Sequence, residues 1–569
     1  MPAEVNHEEK GHGAAPRHWA FWPRYAPHTL TLPKTSIYDN LAVSAHRYPD
    51  KAAIVYYGSS VTYARLKDEA DRLAGYLTRD LGVRKGDFVL LYMQNSPQWI
   101  VGYYAILRAD AVVIPVNPMN RSEELRHYVD DTGARVMLCG QELWDQVRPL
   151  MGRTPLARCV VAAYGDYVTE PTDLTLPDAV AAERQAVADD GAVSWHDALA
   201  AGREPGPHTA APGDYAVFPY SSGTTGAPKG CMHTHRSAMA TIVGGTIWNP
   251  ATADSVVLAT LPFFHVTGLQ TSMNGSIYVG ATIVLMSRWN RDVALELIQR
   301  HRVSHWRNIT TMAVDFLSHP RLGDYDLSSL RAIGGGGAAM PEAVAAKLHE
   351  LTGLDYVEGY GLSETMAATH VNPPERPKRQ CLGIPLFDVD ARILEVGGMA
   401  ELGVGEVGEI VLNAPQVFAG YWNRPEETAE AFVEIDGKRF FRTGDMGYFD
   451  EEGYFFLVDR VKRMINASGY KVWPAEVESM MYAHPGIQEV CVIASPDPRR
   501  GETVKAVIVP KPEARGRISE AEVLTWCREH MSAYKVPRSV AFVDDMPRSA
   551  SGKLLWRVLQ QQEREQAGG

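Results

Sequence analysis

Between about residues 38 and 400 the chain alternates short β-rich apolar runs with amphipathic stretches of helical period, and few architectures accept that order. KAAIVYY is followed by a helical pattern from Tyr63 to Leu77 and then by DFVLLYM; TIVLMS (282–287) reads as a strand, and Asp292 is placed to cap a helix carrying Val293, Leu297 and Ile298 before the strand HWRNIT. Such repetition builds parallel sheets covered by helices, because each parallel return needs a crossover. Ligands of these sheets gather at the carboxyl ends of strands. A chain of 569 residues exceeds what one core supports, so at least two packed units are predicted.

From Gly405 to Asp459 the pattern changes to closely spaced strands, GEIVLNA, RFFRTGD and GYFFLVD, which predict a small antiparallel barrel. Beyond it the order is helix (Pro474 to His484), strands QEVCVIAS and TVKAVIVP, a second helix opened by Ser519 and Glu522 at capping-box spacing, and a strand. The fold predicted is α/β: a large N-terminal domain of helix-flanked sheets plus the small barrel, and a smaller α+β C-terminal domain. The divisions expected are a loose, polar arm (1–30), the large domain (31–459), a boundary (460–463) and the small domain (464–569).

A hydrophobic fraction of 45% and a charged fraction of 22% predict an ordinary soluble protein, and a net charge of −12 disfavours nucleic acid as a partner. The six cysteines have neither zinc spacing nor the pattern of a secreted disulfide framework, which suits a reducing cytoplasm. No apolar run reads as a signal peptide or membrane span. Peripheral membrane contact and a homodimer remain open.

The run YSSGTTGAPKG (220–230) follows the strand-like YAVFPY and concentrates glycine, hydroxyl side chains and a lysine. Freed backbone N–H groups, hydroxyls and a point charge are what a phosphate chain requires. It is not a Walker A loop, since Lys229 is followed by Gly230. Alone it reads equally well as a surface turn.

Further segments follow in order: LPFFHVTG (261–268), GGGGAAMP (334–341), EGYGLSET (358–365), GEVGEIVLNAPQVFAGYW (405–422), FRTGDMGY (441–448), DRVKRMINASGYKVWPAEVE (459–478) and PRSASGKLLWR (547–557). Together they resemble the acyl-adenylate-forming superfamily of acyl- and aryl-CoA ligases, beetle-type luciferases and peptide-synthetase adenylation domains, from about residue 38 to 560, with fatty-acid CoA ligases the nearest type. The resemblance implies ATP, Mg2+ and coenzyme A as cosubstrates. It assigns the phosphates to Ser221, Ser222, Gly223, Thr224, Thr225, Gly226 and Lys229. Adenine falls to Gly335, Gly336, Gly337, Glu358, Gly359, Tyr360 and Gly361, and the ribose to Asp445 with Arg460 nearby. Magnesium falls to Glu364 and Thr225, both also read as catalytic. His265 borders the carboxylate channel, and Lys553 bridges acyl and phosphate oxygens during adenylation. The resemblance places a hinge at Lys462 and the pantetheine tunnel beside Ser468, Gly469 and Tyr470.

An anionic carboxylate must approach an anionic phosphate, so cations are needed where negative charge converges. The acyl pocket is expected along 265–275, 308–316 and 334–339, with His265, Gly268, Met273, Met312, Phe316 and Gly336 named as its wall. No lysine or arginine lies in those three segments, which favours a medium- or long-chain fatty acid. An aryl acid of cinnamate or phenylacetate type and a luciferase-like oxidase are the alternatives. No carrier-protein motif is found after the last segment, favouring free coenzyme A. Asp110 and Asp459 stand where relatives show glycine, and little harm is expected from either.

Overall fold

The computed structural model describes residues 16–221, 228–336, 340–460, 463–467, 470–497, 501–548 and 554–568. Apolar runs of the N-terminal part form two sheets. The first has nine strands, ordered Ile384–Pro385, Ala367–Val371, Tyr356–Leu362, Ala332–Gly336, His305–Asn308, Val256–Ala259, Thr282–Leu285, Ala52–Tyr56 and Ser59–Thr62. Pairings from Tyr356–Leu362 through Ala52–Tyr56 are parallel, and both flanks turn antiparallel. The second has seven strands, with Phe88–Tyr92 between Val112–Pro115 and Val136–Gly140.

Helix Pro97–Arg108 is buried at every position from Pro97 to Leu107, as expected of a helix that is apolar on all sides. Ser96 caps it by accepting from the Trp99 N–H at 3.1 Å. At Gly102 a Cβ would lie 3.0 Å from Leu138 and 3.2 Å from Leu91, so the helix sits close on the second sheet. Cys139 and Cys159, distant in sequence, bring their Sγ atoms to 3.4 Å on neighbouring strands of that sheet.

The helix expected from Tyr63 runs to Arg79, with Thr62 as its cap. Asp292 is not the cap of helix Arg291–Arg300: Asn290 Oδ1 accepts from the N–H groups of Asp292 and Val293 at 3.0 and 3.1 Å. Asn290 keeps extended backbone angles, which leaves Asp292 inside the first turn. Residues 16–30, expected within a loose arm, are anchored through Trp22 and Pro23, although most of the segment is exposed. Trp22 stands edge-on to Trp248 and Phe387, with centroids at 4.8 and 5.3 Å, and donates its indole N–H to the carbonyls of Ala26 and Pro27. The aromatic content of HWAFWPRY outweighs its polar flanks.

Where a barrel was expected, a five-stranded antiparallel sheet is built around Lys438–Phe449. Gly408–Asn413 pairs along one edge of this long strand, and Phe432–Ile435 and then Phe455–Arg460 along the other. The C-terminal sheet comprises Ile465–Ala467, Tyr470–Val472, Ile487–Asp497, Gly501–Pro510 and Ser539–Phe542. Helix Pro474–Met481 stops three residues before His484, whereas Ser519 caps Glu520–His530 as read.

Both departures from glycine have structural roles. Asp459, 3% exposed, accepts from the Ala475 N–H at 2.7 Å and so serves the first turn of helix Pro474–Met481, whose own N-cap Trp473 offers no side-chain acceptor. Asp110 adopts a left-handed φ of 57°, where a Cβ is unfavourable. Its carboxylate receives the Thr209 N–H at 2.9 Å, the Thr209 hydroxyl at 2.6 Å and the Ala210 N–H at 3.2 Å, which offsets that strain by fixing the passing chain. Asp110→Ala is therefore expected to lose about 2–4 kcal/mol of stability, and Asp110→Gly about 1–2 kcal/mol less than that, because glycine loses the hydrogen bonds without the strain. Urea denaturation of the two variants checks the order.

Candidate active site

Tyr220–Ser221 pairs antiparallel with Lys229–Gly230, Ser221 opposite Lys229, so both ends of the glycine- and hydroxyl-rich loop are fixed by one short ladder. Ser222, Gly223, Thr224, Thr225 and Gly226 lie outside the described residues. His127 Nε2 meets the Pro228 carbonyl at 2.7 Å, and the Tyr220 hydroxyl donates to Asp131 at 2.8 Å. Lys229 Nζ lies 3.2 Å from Glu427 and 5.1 Å above the ring of Tyr421. The Tyr421 hydroxyl donates to Glu364 Oε1 at 2.9 Å, and burial beside that carboxylate raises its pKa. A cation, an aromatic face and two carboxylates thus gather at the loop base.

Glu364 belongs to the single turn Ser363–Thr365 that follows strand Tyr356–Leu362. The Ser363 carbonyl accepts from His233 Nε2 at 2.8 Å, the Glu364 carbonyl accepts from the Phe418 N–H at 2.8 Å, and the Thr365 hydroxyl bonds the Ala367 carbonyl at 2.8 Å. Met366 and Ala367 both take positive φ, 45° and 83°. Two consecutive non-glycine residues in that region mark a strained turn held by its surroundings.

The neighbouring strands explain the glycines. Arg307 is opposite Gly334, Gly334 opposite Val357, and Gly336 opposite Gly359, so these positions share one sheet face. A Cβ on Gly336 would stand 2.4 Å from the Gly359 carbonyl oxygen, and one on Gly361 would stand 1.8 Å from that of Ala367. Side-chain-free backbone there opens a cavity between this face and helix His235–Trp248, with Gln270 and Thr271 on another side and Leu30 and Phe387 at its far end. Tyr360 donates to Asp445 at 2.7 Å, and Asp445, 1% exposed, is paired in register with Arg460.

Some expected residues are placed elsewhere. The Glu358 carboxylate, on the opposite face, receives the N–H groups of Met340 and Cys381 at 2.5 and 3.2 Å, so it buttresses the glycine-rich turn; burial raises its pKa. Of the six residues named for the acyl pocket only Gly336 lines the cavity. Met273 and Phe316 are fully buried core, Met312 packs at its margin, and His265 is exposed with its ring 4.4 Å from that of Phe264. At Gly268 a Cβ would stand 2.4 Å from the Pro262 carbonyl oxygen. The cause is local: Gly268–Asn274 is a π-helix, whose wider turn changes which residues face the cavity. Thr267, Gln270, Thr271 and Gly275 from the expected segment line it instead. Gln270 donates to the Ala238 carbonyl and to Thr241 at 3.0 and 2.9 Å, and Asn274 donates to Gln270 at 2.7 Å. Gln270 and Asn274, spaced i and i+4 in an apolar stretch, were the available signal; nothing in sequence singled out His233, Tyr421 or Glu427.

Gly337, Lys462, Ser468, Gly469 and Lys553 lie outside the described residues. Tyr470 opens the strand Tyr470–Val472, which pairs antiparallel with Ile465–Ala467. Arg548 and Leu554 form an antiparallel bridge.

The chain matches the family model of AMP-binding enzymes over residues 41–422 and that of the AMP-binding enzyme C-terminal domain over 476–553. It belongs to the AMP-binding enzyme family. It is 36% identical over 557 residues to a long-chain-fatty-acid–CoA ligase of Bacillus subtilis (strain 168), covering 96% of this chain and 98% of that one. It is 35% identical over 516 residues to a feruloyl-CoA synthase of Amycolatopsis sp, covering 90% and 96%. The ATP-bound crystal structure of MatB from Rhodopseudomonas palustris superposes with a TM-score of 0.81 at 28% identity, covering 94% of this chain and 100% of that one.

His233 is buried and held neutral, its pKa lowered to about 4, and burial lowers His235 and His305 to about 4 as well. A histidine in the unfolded chain protonates near pH 6.5 and these do not, so their stabilisation is complete above that pH and is lost as pH falls toward 4. The melting temperature is expected to drop between pH 7 and 5, and His233→Gln to flatten that slope by nearly one proton. Calorimetry across this range provides the check.

Proposed function

We propose that the protein is an AMP-forming ligase that joins a medium- or long-chain fatty acid to coenzyme A, using ATP and Mg2+. The observation that carries this reading is the meeting of Lys229, Tyr421 and Glu364 at the base of the glycine- and hydroxyl-rich loop, with Glu364 on the turn after the strand whose Tyr360, the partner of Asp445, lines a largely apolar cavity beside bare glycine backbone. The Bacillus subtilis relative is named for long-chain fatty acids; the Amycolatopsis relative is named for feruloyl-CoA, which keeps aryl acids as the second reading.

In the first step a carboxylate oxygen bonds the α-phosphorus of ATP as pyrophosphate departs. In the second the thiol of coenzyme A loses its proton, its sulfur bonds the acyl carbon, and AMP leaves. Residues 221–229 would cradle the departing phosphates, the glycine strip would accept adenine, and Asp445 and Arg460 would hold the ribose. Glu364 fits Mg2+, which takes few protein carboxylates and completes its shell with phosphate oxygens and water, and the ion would neutralise phosphate charge. Lys553 would supply the second cation. We assign 31–459 as the adenylation domain, 460–463 as the hinge and 464–569 as the mobile domain, whose rotation about Lys462 would bring Ser468, Gly469 and Tyr470 to the thiol.

Among the described residues no helix is long and apolar enough to cross a membrane. Six buried free thiols support our placement of the protein in the cytoplasm.

Coenzyme A-dependent AMP release across straight-chain and aromatic acids tests the reading, and no release with any acid would refute it. Lys553→Ala is expected to slow acid-dependent pyrophosphate release about a hundredfold or more, while thioester formation from synthetic acyl-AMP stays within about threefold of wild type. Equal losses in the two half-reactions would remove Lys553 from the adenylation step.

A further inference from the structure

The cavity wall holds a guanidinium for which the described residues supply no hydrogen-bonding or ion-pair partner. Arg307, on strand His305–Asn308, lines the cavity and lies opposite Gly334, its Nη1 2.3 Å from the point a Cβ on Gly334 would occupy. The glycine at 334 therefore leaves the guanidinium its place over the strand. Among the described residues no carboxylate or carbonyl pairs with it; the titratable groups beside it are the Tyr356 phenol and the His305 imidazole. Its neighbours are otherwise engaged. The Tyr356 hydroxyl bonds the backbone and side-chain oxygens of Asn308 at 3.2 Å. His305 meets Ser304 and the Pro250 carbonyl at 2.8 and 3.2 Å. Asp388, also in the cavity wall, accepts from the Leu30 N–H at 3.0 Å. Arg463, likewise withdrawn from solvent, shows the usual remedy: Glu478 and Asp459 both face it.

Arg307 is half-buried, a guanidinium drawn partly out of water loses solvation that only a partner restores, and it offers five donors in a planar fork. An occupant that brings an acceptor satisfies it; a plain methylene chain at that point does not. Arg307 and Gly334 lie two residues before Gly336 along parallel strands, about 7 Å deeper than the Gly336–Gly359 pair. Building on the acid–coenzyme A ligase reading, we infer that Arg307 is a specificity residue: it receives a hydrogen-bond-accepting oxygen carried on the acyl tail, deeper in the cavity than the glycine strip. The substrate class is then an oxygen-bearing acid in which that oxygen is neutral (oxo, hydroxyl or phenol) or anionic (a second carboxylate).

The test compares kcat/KM for AMP release with purified full-chain protein on matched acids: dodecanoate against its 6-oxo and 7-hydroxy derivatives, octanoate against octanedioate, and cinnamate against 4-hydroxycinnamate. Wild type is expected to favour the oxygen-bearing member of at least one pair by about tenfold or more, the size of a hydrogen bond to a charged group. Arg307→Met should remove that preference while leaving turnover of the unsubstituted acid equal or faster, and Arg307→Lys should retain part of it. Thermal melts establish that both variants fold. A gain for octanedioate identifies an anionic group, and a gain for the oxo or hydroxylated acids a neutral one; either supports the inference. If wild type turns over unsubstituted acids equally well, or Arg307→Met slows both members of each pair by one factor, the assignment of Arg307 falls and the ligase reading stands. If wild type activates no acid in pyrophosphate exchange, the ligase reading falls and this inference with it.

Discussion

The structure depends on how closely bare backbone can approach bare backbone at the ends of strands Ala332–Gly336 and Tyr356–Leu362. Side chains at 334, 336, 359 or 361 would enter space held by a guanidinium, by carbonyl oxygens or by a neighbouring side chain. Removing them does two things at once. The strands keep their register, and the face they share stands back from helix His235–Trp248 far enough to leave a cavity. Glycine interiors weaken a strand, so neighbouring elements must supply the rigidity, as Glu358 does by gathering the N–H groups of Met340 and Cys381 behind the sheet.

A second set of contacts joins three elements that no single strand could connect. Lys229 lies at the base of the loop, Glu364 on the turn after a central strand, and Tyr421 and Glu427 on the connection between strands of the small sheet. Charge at the loop base therefore depends on how the small sheet docks. His233 links the same elements from below: it lies beside the loop in sequence and holds the Ser363 carbonyl next to Glu364. Its neutrality is a consequence of burial, and it makes the geometry sensitive to acid.

The cavity reflects the same division between backbone and side chain. Its walls are mostly apolar or small, and polar members such as Gln270 and His305 spend their hydrogen bonds within the protein. Arg307 has no such partner among the described residues, so a ligand oxygen at its position along the cleft would find donors that the rest of the wall does not offer.

Much was legible beforehand because it depends on local pattern. The strand at 52–56, the helix opening at Tyr63, the cap at Ser519 and the ordered glycine-rich motifs follow from period, capping chemistry and backbone freedom. Which residues of 265–275 face the cavity was not legible, because it depends on the pitch of one short helix: the π-turn at Gly268–Asn274 brings Gln270 and Thr271 to the cavity and leaves Met273 in the core. Arg307 escaped attention because it precedes the expected segment by one residue, and only sheet register shows which face it shares with Gly334. Sequence by itself determined which elements form, where the glycines stand and which residue types the chemistry uses, since these rest on interactions between near neighbours in the chain. Tertiary structure alone decided that Lys229, Tyr421 and Glu364 meet, that Asp459 serves a helix beyond it, and that the Arg307 guanidinium lines the cavity, because contacts between residues far apart in the chain are set by packing and register and leave no periodic mark.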